Sequence, residues 1–582
     1  MVEKINKLKS WQVIILIFVI GCVVYSTGLT NPFQGDDYGQ IVNNLPVHVI
    51  ANIKLFFEGG TFYNGGGTNA PLSGIYYRPL MTTAFSVIYS VFGSHTFYFH
   101  LFQLIVGIGS AIILYQIFRH FFNTVLSIVL SVIFLVHPIN SQNFFSIPNT
   151  QDVLFLFFGL LSFWILLKFN AKKSLVFAAL SLFLSLLSKE AGVCFLIIDL
   201  LYLILWRRKR LPIFSAISAV SAVVWLILKI NAVGLDAHSK IAPIDNLNLA
   251  GRLATAPSIM QFYITKFIFP INLASAYYWT YPRVSVSRTI VPLLIDALVI
   301  GIVACMAYFL RTQRPHMLFK NFVFFSIWAG IGLLPYLQII PLDFTASTPW
   351  FYFSGIGMLG MIGVVCVAFQ KNINPGWFLA VSTTIIVVFG VITTRGGFDW
   401  KSQYVLARHN TSTSKDNYVA DKNIAQHYVD TGNYVQAAAY AQDSVNIYPA
   451  YDNYLLLGEA YAGQANYPDA ISAFNKGLNY QKSNLLIEDI AAITLLYGKP
   501  QSNQEYFTSA VNIFPEDSTL WIYYSLYEYK TGNSVAARGL IEKANTIGPV
   551  PGFVYEGILN GDSINIDLST IGKEVSINAS AD

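Results

Sequence analysis

The sequence predicts a mainly α-helical protein in two parts: a polytopic membrane domain and, after it, an α-solenoid of short helical repeats. Of the 582 residues, 54% are hydrophobic and only 12% are charged, whereas soluble proteins carry about 25% charged residues. From about residue 415 the long apolar runs end, and pairs of amphipathic helices recur instead. The composition therefore indicates a membrane part and a water-soluble part in one chain.

The first apolar segment, residues 11–25, follows a short stretch that carries Lys4, Lys7 and Lys9. Basic residues flank membrane spans on the cytoplasmic side, so we expect an uncleaved first span with its N-terminus inside. Ten more apolar segments bring the predicted total to about eleven spans. They lie near residues 98–118, 124–138, 150–169, 174–188, 190–206, 211–231, 289–310, 319–340, 350–370 and 375–394.

Two further apolar segments are not counted as spans. Residues 80–92 are too short, because a crossing takes about 20 residues, and residues 257–271 contain Lys266 and end in Phe269-Pro270. We expect both to form interfacial or re-entrant helices on the outer side. The basic clusters then all fall in inside loops, and everything after residue 394 lies outside.

The soluble part repeats with a period close to the 34 residues of tetratricopeptide repeats. Tyr434 and Tyr467, for example, occupy equivalent positions 33 residues apart. We expect four repeats, enough to stack into a stable solenoid, at 418–448, 452–480, 484–514 and 518–546. The predicted domains are a membrane domain (1–400, with a first outer loop at 31–96), a repeat domain (415–548) and a polar tail (549–582).

Cysteine usage and net charge exclude several classes of function. The four cysteines all lie in apolar segments, and no two have the spacing of metal ligands, so neither a disulfide framework nor a zinc site is indicated. The net charge of +5 comes from short basic clusters between spans, as membrane topology requires. It does not indicate a nucleic-acid partner.

Four groups of polar residues follow predicted outer ends of spans. Each has an ordinary structural explanation, such as a turn or a helix cap for the acids and a headgroup anchor for an arginine. The span count nevertheless places all four on one face of the membrane, which favours a shared site. The groups are Asp36-Asp37, Tyr77-Arg78, the stretch from His137 to Asp152, and Lys189-Glu190.

The order of these motifs resembles the GT-C superfamily of polyprenyl-phosphate-sugar glycosyltransferases. The similarity is closest to the TMTC-type protein O-mannosyltransferases, which also combine a membrane half with tetratricopeptide repeats. It covers most of the chain and rests on the acidic pair, Tyr77-Arg78-Pro79-Leu80, His100, His137-Pro138, Asp152 and Ser188-Lys189-Glu190.

Three positions depart from the pattern of that superfamily. Gln142 stands where a Glu is usual after the His-Pro pair, and Thr150 stands where an Arg usually precedes the Asp of the fourth span. The late Arg-Tyr-Leu-Tyr-like stretch is Trp350-Phe351-Tyr352-Phe353, with no arginine. These departures leave the sugar and the acceptor open.

The resemblance implies an inverting transfer of a mannose-like hexose from a polyprenyl-phosphate donor to a hydroxyl of a protein or glycan acceptor on the outer face. Such a reaction needs a base for the acceptor's proton and cations for the departing phosphate. We expect Asp37 to be the base, with Asp36 beside it binding the acceptor or a divalent cation. The expected phosphate contacts are Arg78, Lys189 and His137, and the further pocket residues are Tyr77, His100, Asp152, Glu190 and His238.

Two other functions stay open from the sequence alone. A large late outer loop that carries the key Arg and His would favour a ligase of the O-antigen-ligase or oligosaccharyltransferase type. The late loops here are short. A non-enzymatic anchor that displays repeats would not need so many spans. The concave face of a repeat solenoid suits a protein acceptor or partner. The short inside loops favour a bacterial plasma membrane with the repeats outside, and an endoplasmic-reticulum membrane would give the same topology.

Overall fold

The computed structural model describes residues 7–234, 242–497, 504–562 and 564. Within these ranges the fold is helical and contains no β-strand, only two isolated bridges, Phe62 to Ser73 and Tyr277 to Ala346. The predicted mainly α class is therefore confirmed. The chain forms two compact units, Met1–Asp416 and Asn417–Asp582.

The helices of the first unit are numbered in chain order. They are α1 (Ser10–Tyr25), α2 (Ile53–Phe56), α3 (Pro79–Phe92), α4 (Thr96–Phe121), α5 (Thr124–Val136), α6 (Gln142–Phe145), α7 (Thr150–Lys168), α8 (Lys172–Ser188), α9 (Gly192–Trp206), α10 (Leu211–Val233), α11 (Leu249–Ile268), α12 (Val291–Gln313), α13 (His316–Leu333), α14 (Ser354–Ala368), α15 (Pro375–Gly396) and α16 (Gln403–Thr413).

The apolar helices make the chain an integral membrane protein. In the described residues, seven helical segments are long and apolar enough to cross a bilayer, and the bent pair α5 and 138–145 would raise the number to eight. Helices α3, α9 and α14 are apolar but shorter. Every predicted span overlaps a helix, while the total of about eleven crossings stays a prediction.

The two segments that were not counted as spans are also helical. Residues 80–92 form α3, which has only 14 residues. The segment at 257–271 belongs to the longer α11, which starts at Leu249 and contains Pro257. Neither is among the seven long apolar segments, so both stay predicted as interfacial or re-entrant.

Aromatic side chains fill the core of the first unit. Trp328 of α13 is fully buried and donates its indole N–H to the carbonyl oxygen of Phe353 at 3.2 Å. Helices α13 and α14 approach closely because Gly357 lacks a side chain: an added Cβ would lie 2.3 Å from the backbone nitrogen of Ala329. Asp199, an acid inside an apolar helix, accepts a 2.6 Å hydrogen bond from Ser162. That contact joins α9 to α7.

In its described residues the second unit contains consecutive helix pairs. The pairs are α17 (Tyr418–Asp430) with α18 (Tyr434–Ile447), α19 (Tyr451–Gly463) with α20 (Tyr467–Leu478), α21 (Asn484–Tyr497) with α22 (Gln504–Ile513), and α23 (Ser518–Lys530) with α24 (Ser534–Ile547), followed by α25 (Gly552–Asn560).

Small and large residues interlock within these pairs. Phe474 packs against Gly458, where an added Cβ would lie 2.2 Å from the ring. The helix bounds agree with the pairs expected from the 33-residue spacing, while the assignment to tetratricopeptide repeats stays a prediction. Helix α25 begins the segment expected to be a polar tail, and most residues beyond Asp562 lie outside the described ranges.

Candidate active site

The acidic pair lies in a tight turn of the loop that follows α1. Gly35 adopts a positive φ of 54°, which glycine tolerates better than residues with a side chain. The turn lets the backbone N–H of Gln34 donate to Oδ2 of Asp37 at 2.8 Å. Asp37 is only 3% exposed, and its Oδ1 has no hydrogen-bond partner among the described residues. One carboxylate oxygen therefore holds the turn, and the other is available.

The short 3-10 turn Gly397–Trp400, which follows α15, holds the acidic turn in place. Asn31 donates its side-chain N–H to the carbonyl oxygen of Gly397 at 3.1 Å, and the side chain of Gln34 donates to the carbonyl oxygen of Trp400. These bonds join parts of the chain that are 366 residues apart. The acidic turn is thus fixed to the helical frame.

The surroundings raise the pKa of both acids. Burial raises the pKa of Asp37 to about 8; the hydrogen bond from Gln34 opposes this, and the negative charge of Asp36 adds to it. Asp36 reaches solvent, yet the protein around it displaces enough water to raise its pKa, against the attraction of Arg78. The acidic turn therefore interacts electrostatically with the arginine of the Tyr-Arg-Pro-Leu motif.

A third acid, Asp343, belongs to the same neighbourhood and was missed from the sequence. It lies in the loop before α14, and burial together with the charge of Asp36 raises its pKa to about 7. In the sequence it is a single acid close to the expected end of the span at 319–340. Spacing alone gave no signal that this loop approaches Asp36.

Two ion pairs bring the predicted phosphate-binding cations together with predicted pocket acids. Lys189 Nζ lies 2.6 Å from Oδ1 of Asp152, and both side chains are buried. Arg78 Nη2 lies 3.2 Å from Oε1 of Glu190, while its guanidinium carbon lies 4.4 Å above the ring of Tyr76. In the described structure, Arg78 Nε and Asp152 Oδ2 are buried without a hydrogen-bond partner.

Glu190 connects the two ion pairs electrostatically. Burial alone would raise its pKa, but the charges of Arg78, Lys189 and Lys229 together lower the pKa to about 2. Glu190 is therefore ionised at neutral pH. Lys229, on α10, was not predicted to belong to the site because it lies within the expected span at 211–231.

The other predicted pocket residues lie in different surroundings. Tyr77 is buried, its hydroxyl has no partner among the described residues, and burial raises its pKa to about 12. His100 hydrogen-bonds through Nε2 to the carbonyl oxygen of Asn31 at 3.3 Å, so it supports the acidic turn. His238 lies outside the described residues.

His137 contacts backbone rather than the cation pairs. Its Nδ1 accepts from the N–H of Ile139 at 3.2 Å, and its Nε2 meets the carbonyl oxygen of Phe267 at 3.0 Å. Both ring nitrogens are therefore used, in a pattern that fits a neutral imidazole. The structure does not bring His137 together with Arg78 and Lys189.

Two of the positions that depart from the superfamily pattern, Gln142 and Thr150, differ in their hydrogen bonding. Gln142 accepts a 2.9 Å hydrogen bond from Thr348, an interaction that a glutamate could also make. The hydroxyl of Thr150 is buried without a partner in the described structure. Among the described residues, no group of three or more His, Cys, Asp or Glu side chains has the geometry of a metal site.

A cavity of about 460 Å³ lies next to Trp400, in the segment that holds the acidic turn, and no residue of the turn itself is among its lining residues. Trp400, whose carbonyl oxygen holds Gln34, is part of its wall. Polar side chains line much of the rest, including Gln142, Asn272, Arg395, Asp399, His409 and Asn410.

Sequence comparisons place the paired residues in a recognised segment. Residues 78–232 match the family model described as dolichyl-phosphate-mannose-protein mannosyltransferase. Protein O-mannosyl-transferase TMTC1 of Homo sapiens is 30% identical over 199 residues, which are 31% of this chain and 22% of that protein. A protein O-mannosyl-transferase of Caenorhabditis elegans is 23% identical over 456 residues, 75% of this chain and 63% of that protein.

The chain thus spans about a fifth of the length of the human relative. The apo oligosaccharyltransferase of Archaeoglobus fulgidus is a solved structure with a TM-score of 0.40 and 12% identity, covering 90% of this chain and 72% of that chain. The sequence matches confirm the predicted resemblance to TMTC-type protein O-mannosyltransferases. The matched segment contains both ion pairs and Lys229.

Proposed function

We propose that this chain, a relative of the TMTC-type protein O-mannosyltransferases, is a membrane glycosyltransferase. It moves a mannose-like hexose from a polyprenyl-phosphate donor to a hydroxyl of a protein or glycan acceptor on the outer face. One observation carries the proposal: Asp37, with a free oxygen and a pKa of about 8, belongs to an acidic turn that interacts with Arg78. Arg78 in turn lies in the network of two cation–acid pairs.

The reaction follows from these groups. Oδ1 of ionised Asp37 accepts the proton of the acceptor hydroxyl, whose oxygen forms a bond to the anomeric carbon of the sugar. The bond from that carbon to the phosphate oxygen breaks on the opposite side, which inverts the configuration, and its electrons stay on the phosphate. Arg78 and Lys189 bind the phosphate and stabilise its growing charge.

We place the acceptor in the cavity beside Trp400. This cavity shares a wall with the backbone that holds the acidic turn. Its aromatic ring and mixed amide and charged side chains suit a polar segment that carries a hydroxyl. Asp36, which reaches solvent, then contacts the acceptor or a divalent cation that accompanies it.

The second unit provides the partner surface in this proposal. Its helix pairs have the length and spacing of tetratricopeptide repeats, whose concave faces bind peptides. With about eleven spans and an inside N-terminus, these repeats lie on the outer face, together with the acidic turn. A bacterial plasma membrane fits this arrangement.

The test is mannosyl transfer from radiolabelled polyprenyl-phosphate-mannose to membrane proteins, measured with the full-length chain in nanodiscs. Asp37→Asn keeps the shape of the side chain and removes the base, so we expect transfer to fall by about 100- to 10,000-fold. Glu58→Gln changes a half-exposed acid of the same outer loop, with a side chain 50% exposed, and is the control. Full activity of Asp37→Asn at normal expression would overturn the proposal.

A further inference from the structure

We propose that Lys229 and the indole N–H of Trp225, both on α10, are further contacts of the donor phosphate. The inference rests on the proposed function, since it adds to the same site. Neither residue belongs to a motif of the sequence analysis. Both are placed by the packing of α10 against the segments that carry Arg78 and Lys189.

Trp225 fixes the position of α10. It is 8% exposed and packs in one apolar cluster with Tyr77, Leu186 and Leu187. Tyr77 directly precedes Arg78, and Leu187 lies two residues before Lys189. The outer part of α10 therefore lies beside both predicted phosphate contacts.

Lys229 lies one helical turn beyond Trp225 on the same face. Its ammonium is 5.5 Å from the Trp225 ring centre, and its charge reaches Glu190. Within the described residues it has no hydrogen bond and no ion pair. A lysine inside an apolar span is costly unless it reaches water or an anion, so its surroundings favour a negatively charged ligand.

The indole of Trp225 gives a second, independent observation. Its Nε1 is buried and has no acceptor among the described residues. A buried donor without an acceptor costs about 1–3 kcal/mol. The N–H and the neighbouring ammonium are both hydrogen-bond donors, and a phosphate oxygen satisfies both.

The charge balance supports the same ligand. Arg78, Lys189 and Lys229 carry three positive charges, and Asp152 and Glu190 carry two negative charges in the ion pairs. These five groups leave one positive charge in excess, which favours an anion such as a phosphodiester; Asp36 and Asp37 add negative charge on the Arg78 side when they are ionised. When the sugar leaves, the phosphate gains a second ionisable oxygen and up to one more negative charge. Lys229 then binds the leaving group more strongly than the donor and raises kcat.

The experiment compares the binding of farnesyl phosphate and farnesol to the full-length chain in nanodiscs. Lys229→Met keeps the length of the side chain and removes its charge. We expect it to weaken farnesyl phosphate binding by about ten- to a hundredfold, the loss of one charge-assisted contact, and to leave farnesol binding unchanged. Lys229→Arg is expected to retain most of the affinity for farnesyl phosphate. Trp225→Phe is expected to lower this affinity a few-fold.

Lys54→Met removes an exposed charge from the same outer loop, with a side chain 87% exposed, and is the matched control. If Lys229→Met binds farnesyl phosphate as the wild type does while the wild type transfers mannose, this inference fails and the proposed function stands. An equal loss of both ligands would assign Lys229 to membrane anchoring and also overturn the inference. If the wild-type protein does not bind farnesyl phosphate, both proposals are overturned.

Discussion

Replacing Asp36 with asparagine is expected to shift the pH dependence of sugar transfer toward lower pH. Asp37 has a pKa of about 8 because it is buried and because Asp36 adds a like charge. A like charge within about 6 Å commonly shifts a carboxyl pKa by a unit or more. Asp36 is the smallest of the three influences on Asp37, so we expect a decrease of at most about one unit.

The size of the effect follows from the ionised fraction of Asp37. With a pKa of about 8, about 1% of Asp37 is ionised at pH 6, about 10% at pH 7 and about 90% at pH 9. A reaction that needs this carboxylate as its base therefore accelerates by about ninetyfold from pH 6 to pH 9. A pKa lower by one unit moves the midpoint of that rise to about pH 7.

The assay is the pH profile of kcat/KM for mannosyl transfer, which reports the pKa of the free enzyme. Its midpoint separates a change in the pKa from any loss of acceptor binding that Asp36→Asn also causes. Glu58→Gln is expected to leave the midpoint unchanged. A wild-type profile that is flat between pH 6 and 9, or an Asp36→Asn profile with an unshifted midpoint, would refute the assignment of Asp37 as the titrating base.

Three further results are expected from the buried ion pair, its neighbour and the helix core. Lys189→Met leaves the carboxylate of Asp152 buried without its cation and is expected to cost about 3–5 kcal/mol of stability; adding Asp152→Leu restores the Tm but not transfer. Glu190→Gln is expected to tighten farnesyl phosphate binding, measured by titration, because it removes the anion that competes for the cations; weaker binding would contradict this. Gly357→Ala is expected to reduce the free energy of unfolding by about 1–3 kcal/mol and so to lower the Tm. Gly301→Ala, whose added Cβ meets open space, is expected to leave the Tm unchanged.

The sequence placed Lys189 and Asp152 on the same membrane face through topology rather than through spacing, but it did not predict that they form an ion pair. The two residues are 37 positions apart, but Asp152 lies in the first turn of α7 and Lys189 directly follows α8. Two consecutive apolar helices of similar length return the chain to its starting side, so their outer ends meet. Hydropathy and positive charges are enough to establish that side.

Contacts between distant segments were beyond the reach of the same argument. Nothing in the pattern around Asp343 indicates that its loop approaches Asp36, because that approach depends on how α13 and α14 pack. Lys229 was not predicted because it lies within an expected span, and a single charge does not interrupt an apolar span of 20 or more residues. His137 was expected at the phosphate site from motif order, but the backbone around it takes both ring nitrogens.

The two predicted phosphate contacts are held by acids of very different accessibility, and this difference divides their roles. The side chain of Asp152 is 1% exposed, whereas that of Glu190 is 44% exposed. Pulling Lys189 away from Asp152 would leave a carboxylate in a dry interior at a cost of several kcal/mol. Glu190 is already partly in water, so separating it from Arg78 costs less than separating Asp152 from Lys189, and it frees the guanidinium of Arg78 for a phosphate. We therefore expect donor binding to exchange the Arg78–Glu190 pair for an arginine–phosphate pair, while Lys189 stays with Asp152 and adds its charge from a fixed position.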